Sequence, residues 1–118
     1  MKLNALNPGL VAEKIAATFL AQQGLKLVTT NFHCRYGEID LIMQEGNTLV
    51  FVEVRLRTNA AFGSAAASIT PKKQQKLINT AQFYLQQQSL NLPCRFDAVL
   101  LSKADMSEIE WLRNAIDT

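Results

Sequence analysis

The chain has 118 residues, 48% hydrophobic and 19% charged, the size and balance of one globular domain with a buried core. A net charge of +2 at pH 7 is too small to mark a nucleic-acid binder by itself, and two cysteines, Cys34 and Cys94, are too few for a disulfide scaffold. No apolar run reaches membrane-spanning length, and Glu13 and Lys14 interrupt the stretch where a signal peptide needs its apolar centre. The expectation is therefore a cytoplasmic protein with no membrane partner, its cysteines buried or half-buried free thiols.

Asn7-Pro8 reads as a helix cap followed by proline at the first helical position. Ala12, Ile15, Ala16, Phe19 and Leu20 then recur at helical spacing, and Gly24 ends the helix. Residues 25–32, LKLVTTNF, read as a strand. GEIDLIMQ and TLVFVEVRLR follow as two more, joined by Gly46-Asn47, a favoured two-residue hairpin turn. Residues 58–68 are small and without periodicity, a loop. Thr70-Pro71 repeats the cap signal and opens a second helix to about Gln88, with Leu77, Ile78, Ala81, Tyr84 and Leu85 as its stripe. RFDAVLL and then IEWL complete an α-β-β-β-α-β-β order, which implies a mixed sheet flanked by helices.

Charge is distributed unevenly along this frame. From Val54 to Phe96 there is no Asp or Glu, while Arg55, Arg57, Lys72, Lys73, Lys76 and Arg95 fall there, enough for a local basic field. Just before it, two acids interrupt apolar runs: Asp40 lies between Ile39 and Leu41, and Glu53 between Val52 and Val54. A two-residue turn at Gly46-Asn47 sets Glu45 against Thr48, Ile42 against Phe51, Asp40 against Glu53 and Glu38 against Arg55. Strict alternation then places Glu38, Asp40, Glu53 and Arg55 on one face. Opposed residues have Cβ atoms roughly 4.5–5.5 Å apart, where like charges destabilise. A Mg²⁺ ion between Asp40 and Glu53 would relieve that, since it takes oxygen ligands from one or two carboxylates together with water and phosphate. The alternative is a Glu38–Arg55 ion pair with Asp40 and Glu53 on a solvated face.

Asp40, the hairpin and EVR at residues 53–55 resemble the D…(D/E)-x-K signature of the restriction-endonuclease-like nuclease superfamily. More closely, NFHCRYGEIDLI, LVFVEVRLR, FGSAAASI, KQQKL, CRFDAVLL and IEWLRNAI identify the chain as similar to the YraN family over nearly its whole length. The resemblance implies a restriction-endonuclease-like α/β fold: an αβββαβ core with a mixed central sheet, like that of Holliday-junction resolvases, in one domain over residues 1–118. It implies a Mg²⁺- or Mn²⁺-dependent endonuclease acting on DNA, including branched or repair intermediates. Asp40 and Glu53 take the metal roles, and Glu13 resembles the helical acid that completes such sites. The related resolvases work as dimers, which admits a homodimer.

One departure matters. Arg55 stands where the superfamily has a lysine, and a guanidinium stays charged at neutral pH, so it cannot act as a base. It can still hold a phosphate, with Arg57, Lys72, Lys73 and Lys76 as further nucleic-acid contacts. Lys73 is an alternative source of the ammonium, and Gln74 or Gln82 a candidate for positioning water. A catalytically inactive nucleic-acid-binding module of the same fold is the first alternative, and a protein-interaction domain with a structural acidic hairpin the second. His33 reads as a surface or structural residue, Asp97 as one half of a structural ion pair or a cap, and Trp111 as core packing.

Overall fold

The computed structural model describes residues 7–57 and 69–116. Its elements are α1 (Pro8–Gln22), β1 (Lys26–Cys34), β2 (Gly37–Glu45), β3 (Thr48–Arg57), α2 (Pro71–Gln87), β4 (Cys94–Ser102) and β5 (Ile109–Leu112). This is the expected order. The loop expected over residues 58–68, with Phe62 and Gly63, lies outside the described residues.

Both helices begin where Asn-Pro and Thr-Pro place them. Asn7 Oδ1 accepts the amides of Gly9 (2.9 Å) and Leu10 (3.3 Å), and Thr70 Oγ1 accepts that of Lys73 (3.2 Å). Each cap satisfies amides that have no partner inside the helix, and proline at the first position loses none. The helices take opposite faces of a five-stranded sheet ordered β1-β2-β3-β4-β5. Only β3 and β4 run parallel, with α2 in the crossover between them, as a parallel pair requires. Central β3 alternates cleanly: Leu49 and Phe51 pack with α2, and Val50 and Val52 with Ala12, Ala16 and Leu20 of α1. Each such side chain contributes about 1.5–3 kcal/mol when fully buried.

The hairpin register is the one that Gly46-Asn47 dictates. Glu45 pairs with Thr48, and the ladder continues to Leu41 opposite Val52. Gly46 has φ +60 while Asn47 does not have positive φ, the pattern of a II′ turn. At the other end of β2, Gly37 brings the β1–β2 turn against α2. Its φ is +151, and a Cβ there would lie 3.1 Å from Thr80 Oγ1, so only glycine admits this approach.

Strict alternation fails at one place, and this corrects the expected face assignment. Thr30 pairs with Leu41 and Phe32 with Ile39, but Asn31 and Asp40 between them drop out of the ladder. Asn31 has φ +52, a left-handed conformation that asparagine tolerates better than most residues. Ile39 therefore packs on the α2 side and Leu41 on the α1 side, although two residues apart they would share a face in a regular strand. The irregularity also removes Glu38 from the face on which period-two counting put it with Glu53 and Arg55. Glu38 pairs with His33 of β1, and the β2–β3 ladder does not extend to a Glu38–Arg55 pair.

Candidate active site

The β2–β3 ladder stops one pair short of Asp40 and Glu53. Asp40 has inserted its carboxylate instead: Oδ2 accepts the Val54 N–H at 2.8 Å. The side chain takes over an amide that a continuing ladder would have bonded, so Asp40 is held at the mouth of two parting strands. Glu53 is close enough for the two acids to shift each other's pKa. Both acids are half-buried.

Burial raises the Asp40 pKa above its ordinary value. The Val54 amide lowers it, Glu38 raises it, and Glu53 and Arg55 lower it. Glu53 is pushed up to about 7, first by burial and then by the charge of Asp40, against the pull of Arg55 and Lys73. An ionised carboxyl can only accept hydrogen bonds, so two of them side by side call for positive charge. In the free protein Arg55 supplies it from beside Glu53. An oxygen-only donor set with excess negative charge suits a hard divalent ion such as Mg²⁺.

Glu13 does not complete a three-acid set. Among the described residues, no three His, Cys, Asp or Glu side chains converge closely enough to hold a metal ion. Burial and then the charge of Asp40 raise the Glu13 pKa, and the Asn31 side chain lowers it. Asp40 and Glu53 are thus the two acids that the site brings together and that could hold a metal ion.

Arg55 bridges to Glu53 at 2.9 Å, replacing the Glu38 partner that regular pairing predicts. Its Nε is buried without a partner among the described residues. Arg57 is tied to Glu110 of β5 at 3.1 Å, which draws its charge away from any other anion. Lys72, Lys73 and Lys76 are exposed on the first turns of α2, and Lys73 is near enough to act on Glu53. Gln74 donates to the Ile69 carbonyl (3.0 Å) and so secures the entry to α2 rather than a water. His33 is exposed, its Nδ1 3.1 Å from the Asn31 carbonyl. Both cysteines are free; Cys34 is half-buried, but Cys94 is exposed rather than buried, because it opens β4 at the rim of the sheet. A groove of about 700 Å³ between α1 and β1 is mostly apolar and meets this region through Glu13, Asn31 and Leu41.

A family model described as "Uncharacterised protein family UPF0102" matches residues 12–101. The chain belongs to the UPF0102 family. A UPF0102 protein of Nitrosomonas europaea is 57% identical over 114 residues, 97% of each chain. A UPF0102 protein of Nitrosomonas eutropha is 57% identical over 111 residues, 94% of each chain. One from Methylobacillus flagellatus is 55% identical over 104 residues, 88% of this chain and 91% of the other. The span matched by the UPF0102 model includes Glu13, Asp40, Glu53, Arg55 and all three α2 lysines, and stops before β5.

Sequence reasoning missed Asn31 in this UPF0102 chain. Its signal was an asparagine inside a β-branched run, which reads as an ordinary strand residue until its left-handed φ is seen. No helix among the described residues is long and apolar enough to cross a membrane.

Proposed function

We propose that this UPF0102 protein is a Mg²⁺-dependent endonuclease that hydrolyses phosphodiester bonds in DNA. The observation that carries the reading is the Asp40–Glu53 pair. Two half-buried carboxyls meet at a strand opening, each raising the need for positive charge there, with the Val54 amide on Asp40 and the Arg55 guanidinium on Glu53 as their partners among the described residues. Asp40 and Glu53 would hold the metal, which when bound supplies a polarised phosphoryl oxygen and a more acidic water. The Val54 amide fixes the direction of the Asp40 carboxylate. Arg55 neutralises Glu53 in the free protein and offers a permanent cation to a phosphate when the metal takes Glu53. Lys72, Lys73 and Lys76 supply the basic approach from the helix start, where unpaired amides also favour an anion.

A second reading keeps nucleic-acid binding without turnover. It is favoured by the Arg55–Glu53 bridge, which occupies one of the two acids and replaces the lysine that could transfer a proton. One experiment separates the two readings: cleavage of branched, single-stranded and double-stranded substrates with Mg²⁺ or Mn²⁺, with Asp40→Asn alongside. Metal-dependent cleavage that Asp40→Asn lowers at least about 100-fold while binding persists supports the enzyme. Binding by both proteins with no cleavage by either supports the module.

A further inference from the structure

A shallow pocket of about 380 Å³ lies where the β1–β2 turn meets the outer side of α2, lined by Arg35, Tyr36, Asn79, Gln82, Phe83 and Gln86. No carboxylate lines it. Its floor is aromatic: Tyr36 and Phe83 stand edge to face with centroids 6.0 Å apart, and Tyr36 is 38% exposed. Phe83 is backed by Phe32, which packs on Tyr84, so the wall is anchored in the core. The Arg35 guanidinium lies 4.9 Å over the Tyr36 ring and donates to its hydroxyl at 2.8 Å, and it has no carboxylate partner among the described residues. The close approach at Gly37 holds this turn against Thr80 and Lys76, so the two walls keep their spacing.

Each wall component has a matching chemistry. Exposed aromatic faces stack on nucleobases of any sequence. Asn and Gln side chains carry both donor and acceptor, as base edges do. A free arginine beside them suits a phosphate. The pocket is also joined to the acid pair. Lys72, Lys76, Asn79, Phe83 and Gln86 recur at spacings of four, three, four and three, one stripe along α2. Tyr36, in the turn just before β2, is four residues from Asp40, at most about 13 Å at the strand rise. A basic track therefore leads from the helix start to an aromatic and amide pocket.

We infer that this pocket receives an unpaired base of a nucleic acid whose backbone passes the Asp40–Glu53 pair. The protein would thus prefer substrates with a single-stranded arm beside a duplex. The inference rests on the nucleic-acid reading above, and its test is read by binding so that the two stand or fall separately.

The test uses fluorescence anisotropy with the full chain in Ca²⁺, which holds cleavage off. The probes are a forked duplex with one single-stranded arm and a blunt duplex of equal length. Tyr36→Ala should weaken fork binding about 5- to 100-fold, the worth of one stacked base, and leave the blunt duplex unchanged. Tyr36→Phe should keep the wild-type preference. Independently of any variant, one abasic position in the arm should cost wild type the same factor, and Tyr36→Ala should then add nothing. The pocket assignment is overturned if no arm position matters or if Tyr36→Ala weakens fork and blunt duplex alike. Cleavage without this coupling removes the pocket alone. Coupling without cleavage removes the endonuclease alone, and no binding to either probe removes both.

Discussion

Two aspartates sit inside the same sheet and are treated in opposite ways. Asp97 of β4 is fully buried and surrounded by donors: Arg95 Nε (3.0 Å) and Trp111 Nε1 (2.9 Å), with the Asn114 amide at 2.9 Å. Arg95 in turn reaches Glu45 at 2.6 Å, and Arg113 reaches the same Glu45 while lying over the Trp111 ring. Asp40 of β2 has one backbone amide and an acidic neighbour. A buried charge with its full set of donors binds strands together; one left short keeps affinity for something that arrives later. The difference separates a structural carboxylate from a candidate functional one without any appeal to sequence motifs.

The same substitution at both positions is the sharpest way to break that contrast. Asp97→Asn puts an amide against three donors in a fully buried position and leaves half-buried Arg95 with Glu45 as its remaining charge partner. Urea unfolding should show a loss of about 3–5 kcal/mol. Asp40→Asn can still accept the Val54 N–H, and it removes the repulsion with Glu53. Its stability without metal should equal or exceed that of wild type. If Asp97→Asn costs under about 1 kcal/mol, or if Asp40→Asn costs as much as Asp97→Asn, the distinction fails.

Metal should separate the two regions next. A ligand bound only by the folded state, at about 100 times its dissociation constant, adds about 2.7 kcal/mol. Thermal unfolding with saturating Mg²⁺ or Mn²⁺ should show a gain of that order for wild type and Asp97→Asn, and little for Asp40→Asn. An equal rise in Asp40→Asn would place the ion elsewhere.

The third expectation concerns pH. Glu53 has a folded pKa of about 7 against an ordinary 4.5. Its contribution is therefore fully present below pH 4.5 and lost as pH rises through 7, a decline on the order of 2 kcal/mol without metal. Glu53→Gln should flatten this decline, and a wild type whose stability rises over that window would contradict the raised Glu53 pKa. Glu45 sits on the other side of the comparison. Arg95 and Arg113 depress its pKa, so its stabilisation is present above pH 4.5 and lost as pH falls below it. This effect is the smallest, because Glu45 is at the surface. Glu45→Gln should soften only the acid limb of the stability curve.

The hairpin was legible in the sequence because its signals are local. Gly46-Asn47 fixes the pairing, and that register holds through Leu41 opposite Val52. Both helix starts and the short β5 were legible for the same reason. The parting at Asp40 was not, because it depends on Asn31 across the sheet, and counting by twos assumes an undisturbed strand. The Asp97 cluster was legible only as an ion pair: its other donors come from Trp111 and Asn114, 14 and 17 residues away, and Glu45 joins Arg95 across 50 residues. The Arg55–Glu53 bridge was hidden differently: its partners are two residues apart on β3, and cross-strand counting gave Arg55 to Glu38 instead.

The kink at Asn31 also bears on how the sheet ends. β5, at one margin, has four residues; β1, at the other, has nine, with Leu27 and Val28 exposed and no proline. A long, straight margin of that kind is a template on which further chains add and aggregate. In β1 the run is broken twice, by the register shift between Leu27 and Thr29 and by the left-handed turn at Asn31. Neither piece is long enough to seed a growing stack. The residue that frees Asp40 from the ladder thereby also interrupts the open margin of β1, and a β-branched replacement at Asn31 should lengthen the regular edge that the strand presents.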